Sequence, residues 1–194
     1  PRDIEGIDQV EILIIDDGST DNTAEVARRC GADHIVRFPQ NRGLGHAFKA
    51  GFDNALRLGA DIIINTDGDN QYFGGDIREL VKPILAGRAD LVIGDRCTGD
   101  IGHFSFLKRT LQSFGSRVIS RLGGLEIPDV ASGFRAYTRE TALKISMFTD
   151  FDHTAEHVVQ AGQDGWGVVV VPIRTNPKAR ESRLFSNVGE FVLK

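Results

Sequence analysis

The segment Asp61-Ile-Ile-Ile-Asn-Thr-Asp67-Gly-Asp69-Asn-Gln71 is the most informative part of this 194-residue chain. Its consecutive isoleucines are β-branched and apolar, which predicts a short buried strand. Two carboxylates and an amide follow at alternating positions of an extended loop, so their oxygens can converge on one ion. Such oxygen ligands suit Mg²⁺ or Mn²⁺, which often keep coordination places open for phosphate. The segment therefore predicts a buried strand that ends in a metal-binding loop.

A D-x-D pattern is a weak signal when it stands alone, because most acidic loops are simply solvated. A second chemistry also follows a strand: a phosphatase in which Asp67 is the nucleophile and Asp69 the acid. That chemistry favours a small hydroxyl residue at the position where this chain has Gln71. Both interpretations stay open on these residues alone.

The composition is that of one ordinary globular domain. Hydrophobic residues make up 41% of the chain and charged residues 26%, and the formal net charge of −4 argues against general nucleic-acid binding. Two local clusters of Lys and Arg nevertheless indicate an anionic ligand such as phosphate or a lipid surface, although solvated helix faces would also contain them. The clusters comprise Lys108, Arg109, Arg117 and Arg121, and then Arg174, Lys178, Arg180 and Arg183.

The cysteines and apolar runs predict a cytoplasmic setting. Cys30 and Cys97 are far apart and lack metal-ligand spacing, which favours reduced thiols. No apolar run is long enough to cross a bilayer, and no signal peptide is present. Because the chain opens on Pro1 and reaches a strand almost at once, we expect it to be a fragment.

Strand and helix patterns alternate along the chain, which predicts an α/β sandwich with a largely parallel sheet. Gly31, Gly59 and Gly87 are predicted helix stops. The predicted strands are Val10–Ile15, His34–Phe38, Ile62–Asn65, Leu91–Gly94 and Val168–Val171. The predicted helices run from Thr20 or Asp21 to about Cys30, from about Gly45 to Leu58, and over Gly75–Ala86, Phe104–Leu122, Thr138–Ser146 and Thr154–Gly162.

A second strand, Ile12-Leu-Ile-Ile15, also ends in paired carboxylates, at Asp16 and Asp17. A carboxylate at a strand tip can accept hydrogen bonds from a nucleobase N–H or a ribose hydroxyl. A turn with a helix N-cap explains Thr20 and Asp21. It leaves Asp16 and Asp17 unexplained.

Six motifs, in order, make the chain resemble family 2 glycosyltransferases, in particular the polyprenyl-phosphate branch that includes dolichyl-phosphate mannose synthase-like enzymes. The resemblance runs from about Val10 to Leu184, and each motif is weak by itself. The motifs are I-I-D-D-G-S-T-D at Ile14–Asp21, N-R-G-L-G at Asn41–Gly45, D-G-D-N-Q at Asp67–Gln71, G-D-R at Gly94–Arg96, S-G-F-R at Ser132–Arg135 and R-E-S-R-L at Arg180–Leu184.

The resemblance implies a GT-A fold, which is a Rossmann-like three-layer α/β/α sandwich with a mostly parallel central sheet. Residues 1–194 would form a single glycosyltransferase catalytic domain. The first strand of the family, with its Pro-x-x-Asn-Glu turn, is missing from this sequence. We expect that strand to lie centrally in the sheet.

The resemblance also assigns donor-binding residues to both strand tips. Ile15 and Asp17 would line the nucleobase and ribose pocket. Asp67, Gly68 and Asp69 would meet the ribose and the diphosphate.

A divalent cation and a basic loop complete the implied donor site. Asp69 and Gln71 would be the protein ligands of Mg²⁺ or Mn²⁺. Lys178 and Arg180 would cover the diphosphate from a mobile loop.

The implied acceptor site consists of Arg96, Arg109 and Ser113, which would receive a phosphate. Residues four apart in a helix share one face, so Arg109 and Ser113 can grip the same phosphate. The implied catalytic residues are these three together with Asp69 and Asp129. Arg135 lies in a family motif and either acts in the site or ties the loop around Asp129 by ion pairing.

The resulting expectation is an enzyme that transfers a hexose from a nucleotide sugar to dolichyl or undecaprenyl phosphate at the cytoplasmic face of a membrane, by direct displacement with inversion. A phosphate acceptor is already anionic and needs no general base, whereas a sugar hydroxyl needs one. The alternatives are transfer to a glycan or small-molecule hydroxyl, the phosphatase, and a non-catalytic sugar-nucleotide-binding module. The sequence leaves open GDP-mannose and UDP-glucose as donor types.

Overall fold

The computed structural model describes residues 2–97, 119, 123–146 and 153–177. These residues form six β-strands and five α-helices. The strands are β1 Leu13–Asp16, β2 His34–Arg37, β3 Ile62–Asn65, β4 Leu91–Asp95, β5 Arg135–Thr138 and β6 Val168–Pro172. The helices are α1 Thr23–Arg29, α2 Leu44–Arg57, α3 Ile77–Leu85, α4 Arg139–Lys144 and α5 His153–Asp164, and a 3₁₀ turn at Gly74–Asp76 precedes α3.

Most predicted elements within these ranges are confirmed, with shifted ends. The three predicted helix stops have positive φ angles, 90° at Gly31, 89° at Gly59 and 65° at Gly87. Helix α1 begins later than predicted, with Asn22 at the N-cap, while the Asp21 carboxylate accepts a hydrogen bond from Thr23 N at 3.0 Å. The predicted helix Phe104–Leu122 lies outside the described residues except for Ile119.

The strands form two sheets. Strands β1 and β2 pair in parallel, and a four-stranded sheet has the order β3-β5-β4-β6. Strand β4 is parallel to β6, and β5 is antiparallel to both β3 and β4, so β3, β4 and β6 run in one direction. The prediction of a mostly parallel sheet is therefore confirmed, because three of these four strands run in one direction. Strand β5, which was not predicted, runs in the opposite direction between β3 and β4.

Hydrophobic clusters cover both faces of the four-stranded sheet, because successive side chains of a strand point to opposite faces. One cluster packs Phe48 and Phe52 of α2 and Val158 of α5 against odd-numbered sheet residues such as Ile63 and Tyr137. The other packs Leu80 of α3 against residues of the opposite face, which include Ile62, Ile64, Val92 and Ala136. This arrangement has the three layers expected of an α/β/α sandwich.

The position of helix α2 shows on which side the loops after β1 and β3 emerge. The end of β1 lies at the N-terminus of α2, since the Asp17 carboxylate accepts a hydrogen bond from Gly43 N at 2.9 Å. The start of β3 lies at the other end of α2, since Arg139 Nη1 donates to Leu56 O at 3.2 Å and to Ala60 O at 3.0 Å. Both strands therefore run antiparallel to α2, and the loops that follow them emerge toward the same end of the helix.

Within the described residues, β1 pairs only with β2, and β3 pairs only with β5. The expectation that the missing first strand of the family lies centrally in the sheet stays a prediction. None of the described helices has the length and apolar character needed to cross a membrane.

Candidate functional site

The predicted metal loop follows β3 and carries two neighbouring carboxylates. Gln71 N donates a hydrogen bond to Asp69 Oδ1 at 2.9 Å, which fixes the orientation of that carboxylate. Asp67 is an exposed residue, but protein atoms crowd its carboxyl group; this partial desolvation and, secondly, the charge of Asp69 raise the pKa of the Asp67 carboxyl above its ordinary value. The loop therefore holds two negative groups that repel each other, and this repulsion favours a bound cation.

The donor set fits a hard divalent cation. Among residues 2–97, 119, 123–146 and 153–177, no three His, Cys, Asp or Glu side chains cluster as a complete metal site. Asp69 and Gln71 would supply a carboxylate and an amide oxygen, with Asp67 beside them. Mg²⁺ and Mn²⁺ accept such sparse protein ligation because substrate phosphates and water complete their coordination. The residues present thus fit the predicted cation.

Tyr72 joins the metal loop to the S-G-F-R motif, although Tyr72 was not among the predicted site residues. The Tyr72 hydroxyl accepts a hydrogen bond from Gly133 N at 3.0 Å, and its ring stacks on Phe134 with centroids 5.0 Å apart. Gly133 O in turn accepts a hydrogen bond from Asn65 Nδ2 at 2.8 Å. A Cβ atom at position 133 would lie 3.2 Å from Asp67 Oδ2, so glycine gives the carboxylate its room.

Arg96 is held beside this loop by a buried ion pair. Its Nε and Nη2 donate to Asp129 Oδ2 at 2.7 Å and Oδ1 at 2.8 Å, and its side chain is only 11% exposed. Desolvation alone would lower the pKa of Arg96, but the hydrogen bonds and charge of Asp129 raise it above its ordinary value. The nearby Tyr72 and Asp67 add smaller contributions in the same direction. Arg96 is therefore a permanent, oriented cation near the Asp67 carboxylate.

Asp129 and Arg135 are both buried and bonded to neighbouring protein groups. Asp129 is 1% exposed and lies behind Arg96, which favours a role in orienting Arg96; its predicted catalytic role stays a prediction. The fully buried Arg135 ties the surrounding loop through carbonyl oxygens, donating to Ser132 O at 2.8 Å, Val130 O at 2.5 Å and Thr154 O at 2.9 Å. The structural option for Arg135 is thus supported, but the expected ion pair with Asp129 is wrong, because Arg96 makes that pair.

Asp17 connects the first acidic tip to the N-R-G-L-G turn. Its two carboxylate oxygens accept hydrogen bonds from Arg42 N at 2.7 Å and Gly43 N at 2.9 Å. The buried Asp16 accepts from Ser19 N at 2.9 Å and pairs with Arg37 at 3.2 Å, which explains it as a structural residue. The predicted role of Asp17 in nucleoside binding stays a prediction.

The remaining predicted site residues divide into two groups. Ile15 is half-buried on β1, and a Cβ atom at Gly68 would meet nothing within 4 Å, so the loop is open at that point. The basic and hydroxyl residues predicted to bind phosphates lie outside the described residues. They are Arg109, Ser113, Lys178 and Arg180.

The segment after β6 runs alongside the metal loop, a relationship that no local pattern indicated. Phe73 N donates to Arg174 O at 3.1 Å, and Tyr72 and Thr175 form an antiparallel bridge. Asn176 N donates to Gln71 O at 2.8 Å. The metal loop is therefore bonded along its length to residues far away in the sequence.

The chain matches the family described as "Glycosyl transferase family 2" over residues 5–145. An uncharacterized protein of Methanocaldococcus jannaschii is 35% identical over 170 residues, which cover 84% of this chain and 69% of that protein. Polyprenol monophosphomannose synthase of Mycolicibacterium smegmatis is 32% identical, with 85% of this chain and 66% of the relative covered. Dolichyl-phosphate hexose transferase of Haloferax volcanii is 31% identical, with 91% and 74% covered.

Solved structures with the same fold include glucosyl-3-phosphoglycerate synthase from Mycobacterium tuberculosis in complex with Mn²⁺, UDP-glucose and phosphoglyceric acid. The TM-score is 0.69 at 19% identity, and the match covers 91% of this chain and 64% of that structure. The chain thus spans about two thirds of the length of these proteins. The chain belongs to glycosyltransferase family 2, has the GT-A fold, and is similar to the polyprenyl-phosphate branch of the family.

Proposed function

We propose that the protein transfers a hexose from a nucleoside-diphosphate sugar to a polyprenyl phosphate, by metal-dependent displacement with inversion. The observation that carries this proposal is the Asp67 carboxylate, which lies near both Asp69 and the oriented cation Arg96. The names of the relatives support a polyprenyl-phosphate acceptor.

The metal loop is the donor side of the proposed site. Asp69 and Gln71 would hold Mg²⁺ or Mn²⁺, while Asp67 and Gly68 would contact the ribose and diphosphate. When bound, the cation would supply positive charge that stabilises a departing diphosphate. The fold neighbour that binds Mn²⁺ together with UDP-glucose supports this assignment.

Among the residues proposed to bind the acceptor phosphate, Arg96 is the one that lies within the described ranges. Its bidentate bond to Asp129 uses Nε and Nη2, so its position is fixed before any ligand arrives. A fixed guanidinium stabilises an anionic group without the cost of reorganisation. Arg109 and Ser113 would complete the phosphate site, and Lys178 and Arg180 would cover the donor.

A polyprenyl acceptor places the reaction at a membrane surface, and we propose that this is the cytoplasmic face. Nucleotide sugars are available there, and the free cysteines Cys30 and Cys97 suit a reducing compartment. The basic residues within the predicted helix Phe104–Leu122 support attraction to anionic lipid. Membership in a glycosyltransferase family argues against the phosphatase alternative.

The test is a transfer assay with purified protein, Mn²⁺, detergent-solubilised polyprenyl phosphate and a panel of nucleotide sugars. We expect a polyprenyl-phosphate hexose with inverted anomeric configuration, detected by mass spectrometry and NMR. Asp69→Asn is expected to lose at least about 100-fold in rate, because it removes a charged metal ligand. Retention of configuration would contradict direct displacement, and metal-independent turnover would contradict the metal assignment.

Two further acceptors separate the alternatives. Polyprenol without phosphate tests whether the phosphate is required, and a soluble glycan or phosphoglycerate tests transfer to a hydroxyl. Transfer to the soluble acceptor alone would replace the polyprenyl proposal. Binding of the nucleotide sugar without turnover on any acceptor would favour a non-catalytic module.

A further inference from the structure

A single asparagine that follows β6 is bonded to three consecutive residues of the metal loop. Asn176 Nδ2 donates to Asn70 O at 2.9 Å and to Tyr72 O at 3.2 Å. Its backbone N donates to Gln71 O at 2.8 Å. Asn176 lies 106 positions after Asn70, so these bonds are a tertiary feature of the site.

These hydrogen bonds surround the amide ligand of the predicted metal site. Asn70 has a φ of 59°, in the left-handed region that asparagine adopts more readily than most other non-glycine residues. The next residue, Gln71, is bonded on both sides of its backbone, from N to Asp69 Oδ1 and from Asn176 N to O. The direction of the Gln71 side chain therefore depends on a backbone that Asn176 fixes.

We propose that Asn176 is a positioning residue that orients Gln71 and Asp69 for divalent cation binding. This inference rests on the proposed function, since it concerns the same metal loop. Asn176 acts through the loop backbone and is not itself a metal ligand. Groups that orient metal ligands typically change metal affinity 10–100-fold when they are removed.

The rest of the segment stays attached when the Asn176 side chain is removed. Arg174 N donates to Asp76 Oδ2 at 2.6 Å, and Arg174 O accepts from Phe73 N at 3.1 Å. The backbone bond from Asn176 N to Gln71 O also remains in an alanine variant. Asn176→Ala thus removes only the side-chain hydrogen bonds to Asn70 and Tyr72, without detaching β6 from the loop.

The first measurement is Mn²⁺ binding by electron paramagnetic resonance in the presence of GDP or UDP. We expect Asn176→Ala to weaken Mn²⁺ binding about tenfold. The matched control is Asn54→Ala, because Asn54 Nδ2 also donates to a backbone carbonyl, that of Ala50 at 2.8 Å, but within α2. The control variant is expected to bind Mn²⁺ as the wild type does.

The second measurement needs no metal: hydrogen–deuterium exchange of a peptide that spans residues 67–73. Asn176→Ala and Asn176→Asp both lack the donating side-chain N–H groups, and both are expected to raise exchange there while leaving the α2 peptide unchanged. Wild-type exchange in the alanine variant, or wild-type Mn²⁺ affinity, would overturn the positioning role. A wild-type protein that binds no Mn²⁺ with either nucleotide would instead overturn the proposed metal-dependent function.

Discussion

The hydroxyl of Tyr72 accepts a hydrogen bond from the backbone N of Gly133 at 3.0 Å, which joins the metal loop to the loop that carries the S-G-F-R motif. Both residues are buried, so the Gly133 N–H would have no water to replace this acceptor. The same hydroxyl lies close enough to the Asp67 carboxylate to lower its pKa, which opposes the effect of desolvation. Tyr72 therefore fixes the metal loop against the loop that carries Gly133.

Tyr72→Phe tests this relationship. The ring can keep its stacking on Phe134, but Gly133 N loses its acceptor, and an unsatisfied buried N–H costs about 1–3 kcal/mol. We expect a loss of about that size in the free energy of unfolding, measured by chemical denaturation, and weaker Mn²⁺ binding. Tyr137→Phe is the matched control, because it removes a buried hydroxyl that contacts His157 Nδ1 at 3.1 Å, away from the loop. Equal effects of both variants on Mn²⁺ affinity would contradict the assignment of Tyr72 to the site.

Gly133→Ala is predicted to disturb the metal loop without removing a ligand. The added Cβ would lie 3.2 Å from Asp67 Oδ2 and 3.4 Å from Oδ1, so the carboxylate must shift by a few tenths of an ångström. We expect a several-fold loss of Mn²⁺ affinity in a folded protein. Gly74→Ala is the control, since a Cβ there would meet nothing within 4 Å. If isothermal titration gives the two variants the same affinity, the close approach has no functional consequence.

The sequence predicted those parts of the fold and site that depend on neighbouring residues. The isoleucines before Asn65 identified β3, and the glycines after α1, α2 and α3 identified the helix ends. Strand β5 was missed because its residues Arg-Ala-Tyr-Thr lack an apolar run: the buried face of this strand includes Arg135, whose charge is satisfied by carbonyl oxygens. No periodicity reveals such a residue as part of a core.

The tertiary supports of the metal loop were missed for a related reason. The partners of Tyr72 and Asn176 are 61 and 106 positions away in the sequence, so no local motif contains both members of either pair. The one available signal was the aromatic residue Tyr72, which directly follows the predicted amide ligand Gln71. Motif resemblance predicted the metal ligands, while geometry was needed to find the residues that support their loop.

Breaking the Arg96–Asp129 ion pair is predicted to lower the free energy of unfolding. An apolar pair at the two positions should restore stability but not activity. Asp129→Ala leaves a largely buried guanidinium without its partner, and such changes cost about 3–5 kcal/mol. The double variant Arg96→Met/Asp129→Leu replaces both charges by apolar groups, so we expect it to recover most of that loss in denaturant unfolding. Transfer activity should stay low in the double variant, because the oriented cation is gone. Recovery of activity with stability would show that Arg96 is structural only.

Asp67 is predicted to lower stability at neutral pH in the absence of metal. Its folded-state pKa is raised above 3.8, so the folded protein binds this proton more tightly than the unfolded chain does. The associated stability is present at low pH and is lost as the pH rises through the folded-state pKa. Asp67→Asn should therefore unfold at a higher temperature than the wild type at pH 7 in EDTA, with the difference vanishing near pH 3. A variant that is less stable at pH 7 would mean that the hydrogen bond to Tyr72 outweighs desolvation.

His157 is predicted to make the protein acid-sensitive through its burial in the core. Desolvation first, and then the charges of Arg135 and His153, lower the pKa of His157 well below 6.5. The unfolded chain binds this proton near pH 6.5 and the folded protein does not, so stability is lost as the pH falls below 6.5, by at most about 1.4 kcal/mol per pH unit. His157→Asn keeps a polar atom near the Tyr137 hydroxyl but cannot titrate there, and we expect its free energy of unfolding to change less between pH 7 and pH 5. His34→Asn, at an exposed position on β2, controls for loss of a histidine as such. Parallel pH profiles for wild type and His157→Asn, measured by urea unfolding, would assign the acid sensitivity to other groups.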